Sequence, residues 1–389
     1  MLPDAPVPQD GEVVDTPPGG TVTVTVWTGN AQRDATAIVL FQAANGSVVS
    51  RVEADNGLAS GEVPAGGMVT VVQRSIVTTI AQVAGGDEIT VGTDVPSTPG
   101  MATVVVPAAP GGTTGMQVYG PCGAGSSTTT TIPFTMSAAC PQPAKVVAVA
   151  RAGAAPQAFV VEDVAIVENE ETTLAGPWAA PAQFTATIEN VPATVERVMA
   201  SAGSRIGTST LYLNPTLLPA PTGGSTTGSI AVPPAFGDGT ELRYYLYYQG
   251  FTAYQQGSVT VAGATTSHTF DGSDLLPWIT GYQGSWDDIA WTQSSGAAYD
   301  GAIATIEYQY KNYTQLTWRV ILPESARQFT LPDSADIEIP KEVDQSEVHV
   351  ELIESSAFDW AGMRAKAGAT SFRRDDTMPA IRTLRSSTR

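Results

Sequence analysis

The run Thr21-Val22-Thr23-Val24-Thr25-Val26-Trp27 places three valines on one side of an extended backbone and the threonines on the other, because successive strand side chains point to opposite faces. Such a segment buries one side and wets the other. The alternation returns at 104–106, 145–150, 184–188, 208–213, 241–248, 258–262, 303–310, 317–322 and 347–352. Turn signals separate these runs, among them Asn45-Gly46, Asn56-Gly57, Gly85-Gly86-Asp87, Asp238-Gly239 and Asp271-Gly272-Ser273-Asp274. No apolar stripe of helical spacing exceeds two turns. An all-β fold is expected, and so many short strands in 389 residues predict tandem Ig-like or prealbumin-like β-sandwich domains rather than one barrel.

Breaks in the pattern divide the chain into an extended N-terminal linker (1–20), a β-sandwich (21–92), a β domain holding both cysteines (93–180), a further β-sandwich (181–275), an aromatic-rich β domain (276–362) and a basic C-terminal tail (363–389). No strict repeat accompanies this series, so only the architecture recurs. The last segment carries seven basic and two acidic residues among Ser, Thr, Ala and Gly, against a whole-chain net charge of −19. It reads as a mobile tail, solvated, lying on its own acidic domains or reaching a partner.

Charge and hydropathy exclude two classes of partner. Without a basic stripe over the first 360 residues, the chain lacks the clustered Lys and Arg that neutralise phosphates, so no nucleic-acid partner is expected. The longest apolar stretch, 145–167, is broken by Arg151, Glu162 and Asp163, so no transmembrane segment is expected. The Pro/Asp/Gly-rich start has neither a basic nor an apolar leader region. Removal of a signal is the favoured reading and a cytosolic chain the alternative; a lipid anchor at the N-terminus, with Met1 standing where a lipidated cysteine would, is a subsidiary hypothesis. Cys122 and Cys140 flank a Gly/Ser/Thr-rich stretch without a nearby His or third thiol, which predicts a structural disulfide and an extracellular or outer cell-surface location.

From Gly20 to Val72 the order is a Val-rich strand, Asp34-Ala35-Thr36-Ala37-Ile38-Val39-Leu40-Phe41, Asn45-Gly46-Ser47, Asp55-Asn56-Gly57-Leu58-Ala59, then Val63-Pro64-Ala65-Gly66-Gly67-Met68-Val69. This segment resembles the carboxypeptidase regulatory-like domain, a small transthyretin-like or Ig-like sandwich. The resemblance implies a spacer or interaction role and brings no catalytic residues. Through Tyr119-Gly120-Pro121-Cys122-Gly123, Leu276-Pro277-Trp278, Trp318-Arg319-Val320-Ile321-Leu322-Pro323 and Leu331-Pro332, the whole chain resembles multi-domain surface lipoproteins of myxobacterial-type deltaproteobacteria, which bring no activity either.

Candidate chemistry is sparse. His268 and His349, the only histidines, fall on strands and are read as facing solvent or a neighbouring strand, so neither a zinc site nor a Ser-His-Asp triad is expected. Asp287, Asp288 and Asp300 lie among Trp286, Trp291 and Tyr299, as acids do in glycan-cleaving clefts. In an extended segment, however, Asp287 and Asp288 point to opposite faces. No cofactor is expected. Calcium is the more plausible metal, at Asp271-x-Ser273-Asp274, Asp238-Gly239-x-Glu241 or 333–336, although Asp and Gly serve turns for their own backbone bonding.

Aromatic residues give the strongest local signal. Between Tyr244 and Trp318, 75 residues hold 16 of the 29 aromatics, where uniform spacing would put fewer than six. In Arg243-Tyr244-Tyr245-Leu246-Tyr247-Tyr248, alternation sends Tyr244, Leu246 and Tyr248 to one face and Tyr245 and Tyr247 to the other. Tyr245, Tyr247, Trp278, Tyr282, Trp286 and Trp291 are the candidate ligand or interface residues, core packing being the competing account. The favoured function is a non-enzymatic extracellular or cell-surface structural or adhesion protein, with a surface protein or glycan as partner, or self-association by strand addition from the N-terminal segment. A carbohydrate-binding protein or glycan-acting enzyme centred on 244–318, and a phage decoration or tail protein, are the alternatives.

Overall fold

The computed structural model describes residues 17–28, 32–92, 100–136, 139–206, 209–212, 215–234, 240–248, 253–261, 265–284, 288–310, 313–332, 337, 345–356, 358–366, 368 and 381–387. It is all-β with several sheets and one short helix, α1 (Trp360–Lys366). In β1 (Gly20–Val26) the three valines are fully buried and Thr21 and Thr23 are exposed, as the alternation requires. β1 lies between β4 (Leu58–Val63), antiparallel, and β7 (Glu88–Val91), parallel. The turn into β4 passes through Asn56 at φ 48° and Gly57 at φ 70°. A Cβ on Gly57 would stand 2.6 Å from the Val26 carbonyl oxygen, so this position needs glycine.

One large sheet draws strands from distant parts of the chain. Its strands run β17 (Ser209–Tyr212), β16 (Val195–Ile206), β20 (Thr240–Tyr248), β21 (Ala253–Val261), β29 (Ile381–Ser387), β28 (Gln345–Ser355), β25 (Gly301–Tyr310), β26 (Tyr313–Pro323), β6 (Ile76–Ile80), β5 (Met68–Gln73), β2 (Ile38–Gln42) and β3 (Val48–Glu53). The short β18 (Thr216–Leu217) also pairs with β16. Strands of three expected domains therefore share one hydrogen-bonded surface. Residues 381–387, expected within a mobile tail, form a strand between β21 and β28, with Arg382 in register with Glu354 and Arg385 with Glu351.

Small sheets cover parts of both faces. On one face lie β19 (Thr226–Val232), β15 (Ala182–Glu189) and β22 (Ser267–Asp271), and beside them β23 (Ile279–Gly284), β24 (Asp288–Gln293) and β27 (Gln328–Thr330). They enclose a single core reaching from Phe184 and Ile230 through Leu242 and Tyr244 to Trp291 and Trp318. On the opposite face β4, β1 and β7 cover a second core, to which β25, β26, β28 and α1 add Ile303, Ile321, Ile353 and Met363. A buried polar row stitches the junction: the Trp318 indole N–H donates to Thr79 Oγ1 at 3.0 Å, the Thr79 and Thr70 hydroxyls are 2.9 Å apart, and Thr70 donates to Gln42 Oε1 at 2.7 Å.

The segment 100–173 forms its own sheet, ordered β13 (Ala155–Val164), β12 (Ala144–Ala152), β9 (Gly115–Gly120), β10 (Gly123–Ser127), β11 (Thr131–Met136), β8 (Gly100–Val105) and β14 (Glu171–Thr173). Its strands pack on one another around Val104, Val118, Phe134 and Val146. Cys122 and Cys140 are disulfide-bonded at the edge of that core, which on the loop-entropy account contributes about 3 kcal/mol.

Candidate functional site

β20 divides as its alternation predicts. Tyr244 and Leu246 are fully buried, and the Tyr244 ring stacks on Phe270 at 4.9 Å. Tyr245 and Tyr247 lie half-buried on the face that, among the described residues, none of the small sheets covers at this end. There β16 sets Arg197 opposite Tyr247 and Met199 opposite Tyr245, while β21 sets Tyr254 opposite Tyr247 and Gln256 opposite Tyr245. The Tyr247 and Tyr254 rings are 5.8 Å apart, and the Arg197 guanidinium stands 5.7 Å from the Tyr247 ring centre. Burial pushes the Tyr247 hydroxyl pKa upward, and Arg197 opposes the shift. Neighbouring strands thus present three tyrosines and an arginine in one patch, a surface of π faces with polar tips that suits stacking against a sugar ring or an apolar protein surface.

The other aromatic candidates are placed differently. Trp278 and Trp291, expected as ligand or interface residues, are 6% and 4% exposed and belong to the core between β23, β24 and the large sheet. Their indoles fill the space that two facing sheets must close. Tyr282 is partly buried against the same core, and Trp286 lies outside the described residues. Tyr248 stands 5.2 Å from Trp278, and both border a cleft of about 430 Å³ whose rim carries Asn190, Thr194, Thr280 and Ser294.

Among the described residues, Asp288 and Asp300 have separate partners on different strands. Asp287 lies outside the described residues. Asp288 is exposed and accepts a bond from the Thr330 hydroxyl at 3.2 Å. Asp300 accepts from the Ser355 amide at 2.7 Å; burial pushes its carboxyl up to about 6, with Glu354, Asp359 and Glu324 adding to the rise. Among the calcium candidates, Asp271 caps a 3₁₀ turn, accepting from the Ser273 amide at 2.9 Å and Asn190 Nδ2 at 2.8 Å. Those bonds hold its carboxyl below the usual range. Glu241 accepts from Arg243 Nε at 3.2 Å, and Asp238 and 333–336 lie outside the described residues. His268 sits 6.4 Å from the Tyr244 ring, and burial lowers its pKa.

A cluster that sequence spacing did not reveal involves His349. Its ligand nitrogen and the carboxylates of Glu347 and Glu307 lie within 4.8 Å of one another. Glu347 is two positions away on β28, but Glu307 comes from β25, and only the strand register brings it there.

No family model matches the chain, the segment 20–72 included, and no curated protein matches it. Among solved structures it is similar to CBMbc, a family CBM26 module of Eubacterium rectale Amy13K determined in complex with maltoheptaose, at 11% identity over 50% of this chain and 97% of that one, with a TM-score of 0.14. It is also similar to the Bacillus anthracis TIE protein at 10% identity over 65% of this chain and half of that one, with a TM-score of 0.15. Superpositions this loose carry no argument about ligand or role.

Proposed function

We propose that this chain is a non-enzymatic extracellular or cell-surface protein with a structural or adhesive role, and that the Tyr245–Tyr247–Tyr254 patch with Arg197 is where a surface protein or glycan docks. The patch carries the reading, because half-buried aromatics beside a cation supply much contact area at low entropic cost. Two features support it. The disulfide suits an oxidising compartment. Among the described residues the large sheet ends at β3, where Val48 and Val49 are 45% and 51% exposed, an edge that suits strand addition and hence assembly. The test is attachment of beads coated with the full chain to cells of its native host, together with a glycan array. Tyr245→Ala/Tyr247→Ala should lose attachment while melting like the parent; undiminished attachment would refute the assignment.

Carbohydrate binding at the Tyr248–Trp278 cleft is the second reading. The cleft joins aromatic walls to a hydroxyl-bearing rim, the combination a sugar ring requires. Glycan-array signal that survives the double tyrosine variant and disappears in Thr280→Trp, which fills the cleft, would favour it.

A further inference from the structure

We propose that Glu307, Glu347 and His349 form a binding site for a divalent transition-metal ion, with zinc as the reference cation. The register sets Glu307 directly opposite Glu347, and like charges so placed destabilise a sheet. Among the described residues no lysine or arginine pairs with either carboxylate; the one ion-pair partner is His349, whose Nε2 is 3.7 Å from Glu347 Oε2. Arg319 sits one row along, in register with Thr305 rather than Glu307, and has a partner of its own. A bound dication would convert this repulsion into attraction.

The histidine supplies a separate observation. His349 Nδ1 is buried without a hydrogen-bond partner, so the imidazole is held against the two carboxylates at the cost of an unmet polar group. Coordination would use the other nitrogen, Nε2, which already faces Glu347, and would leave the imidazole proton on Nδ1. Bonds of about 2.1 Å in a tetrahedron put ligand atoms about 3.4 Å apart; the His349–Glu347 pair is at 3.7 Å and all three ligand atoms lie within 4.8 Å, so a modest side-chain adjustment closes the set on an ion. The side chains of His349 and Glu347 are 17% and 35% exposed, enough for an ion to enter while limiting competition from water. One imidazole with two carboxylates favours zinc or manganese over calcium, which prefers six to eight oxygens. Three protein ligands leave the fourth position of a tetrahedron open.

The test is calorimetric titration of the chelator-stripped full chain with zinc and, separately, with calcium. We expect a single saturable zinc site that raises the melting temperature, with calcium weaker. His349→Ala and Glu307→Gln should each weaken zinc by more than about tenfold, at least the effect of losing an outer partner of a metal ligand; Asp288→Asn, elsewhere on the acidic surface, should leave it unchanged. With only two histidines in the chain, ¹⁵N shifts of the imidazoles give a direct readout: zinc should move His349 and leave His268 in place. Absence of saturable zinc binding, equal binding in His349→Ala, or a preference for calcium would each overturn the site. Melting curves of the metal-free variants separate a lost ligand from a lost fold.

Discussion

One face of β25, β26 and β28 changes character along its length. Beneath β1, β4 and β7 it carries Ile303, Ile321 and Ile353, each at most 1% exposed. Further along the same strands it carries Thr305 and Glu307, Arg319 and Thr317, and Glu351, His349 and Glu347, most of them half-buried. Backbone, pairing and register continue across the change. Among the described residues, only the covering layer ends. The comparison teaches that burial here is decided by what lies on top of a strand, and the residue types follow. Where both faces are covered, the strands read as consecutive apolar residues, as in Ala302-Ile303-Ala304 and Val320-Ile321-Leu322, all essentially inaccessible; where one face is bare, alternation returns.

Substitutions at matched positions can break this contrast. Ile321→Ala, under the covering sheet, is expected to cost about 2–5 kcal/mol, whereas Thr317→Ala at the bare end should stay within about 0.5 kcal/mol. Urea unfolding of the pair decides it, and equal costs would mean that the covering layer is not what matters. A smaller effect of opposite sign distinguishes the two faces of β20. The Tyr244 hydroxyl is buried without a hydrogen-bond partner, and burial raises its pKa. Tyr244→Phe should therefore stabilise by about 1 kcal/mol, while Tyr247→Phe on the uncovered face should be neutral. The smallest expected effect concerns Asp300, which opens β25 at its covered end. Its carboxyl rises from 3.8 to about 6 on folding, so the native state holds a proton that the unfolded chain has lost, and stability falls as pH rises through that window. Asp300→Asn, which keeps an acceptor for Ser355, should melt slightly higher than the parent at neutral pH, the difference closing as the pH falls to about 4. A constant difference at all pH values would mean that ionisation is not the cause.

Much of the strand content was legible because it depends on neighbours in sequence. The valines of β1, the division of β20 into two faces, the positive φ at Asn56 and Gly57, and the Cys122–Cys140 bond all follow from local pattern. Contacts set by distant pairing were not. Glu307 meets His349 only through register. Trp278 and Trp291 carry the same side chain whether they wall a ligand site or fill a core, and nothing within a few residues separates the two. The charge of the last segment pointed to a tail, yet Arg382 and Arg385 lie in register with Glu354 and Glu351, so the same cations fit equally well into a strand beside an acidic one.

The parallel pairing of β6 with β26 sets an order of events during synthesis. Thr79 and its indole donor Trp318 are separated by 239 positions, and the core under β1 also takes in Ile303, Ile321 and Ile353. A ribosome adding about 5–20 residues per second needs on the order of tens of seconds to cover that distance. Until then the strands β1 to β7 carry an unroofed apolar surface and an unmatched strand edge, so this segment finishes folding long after it is made, and a chaperone or secretion factor has that interval in which to hold it.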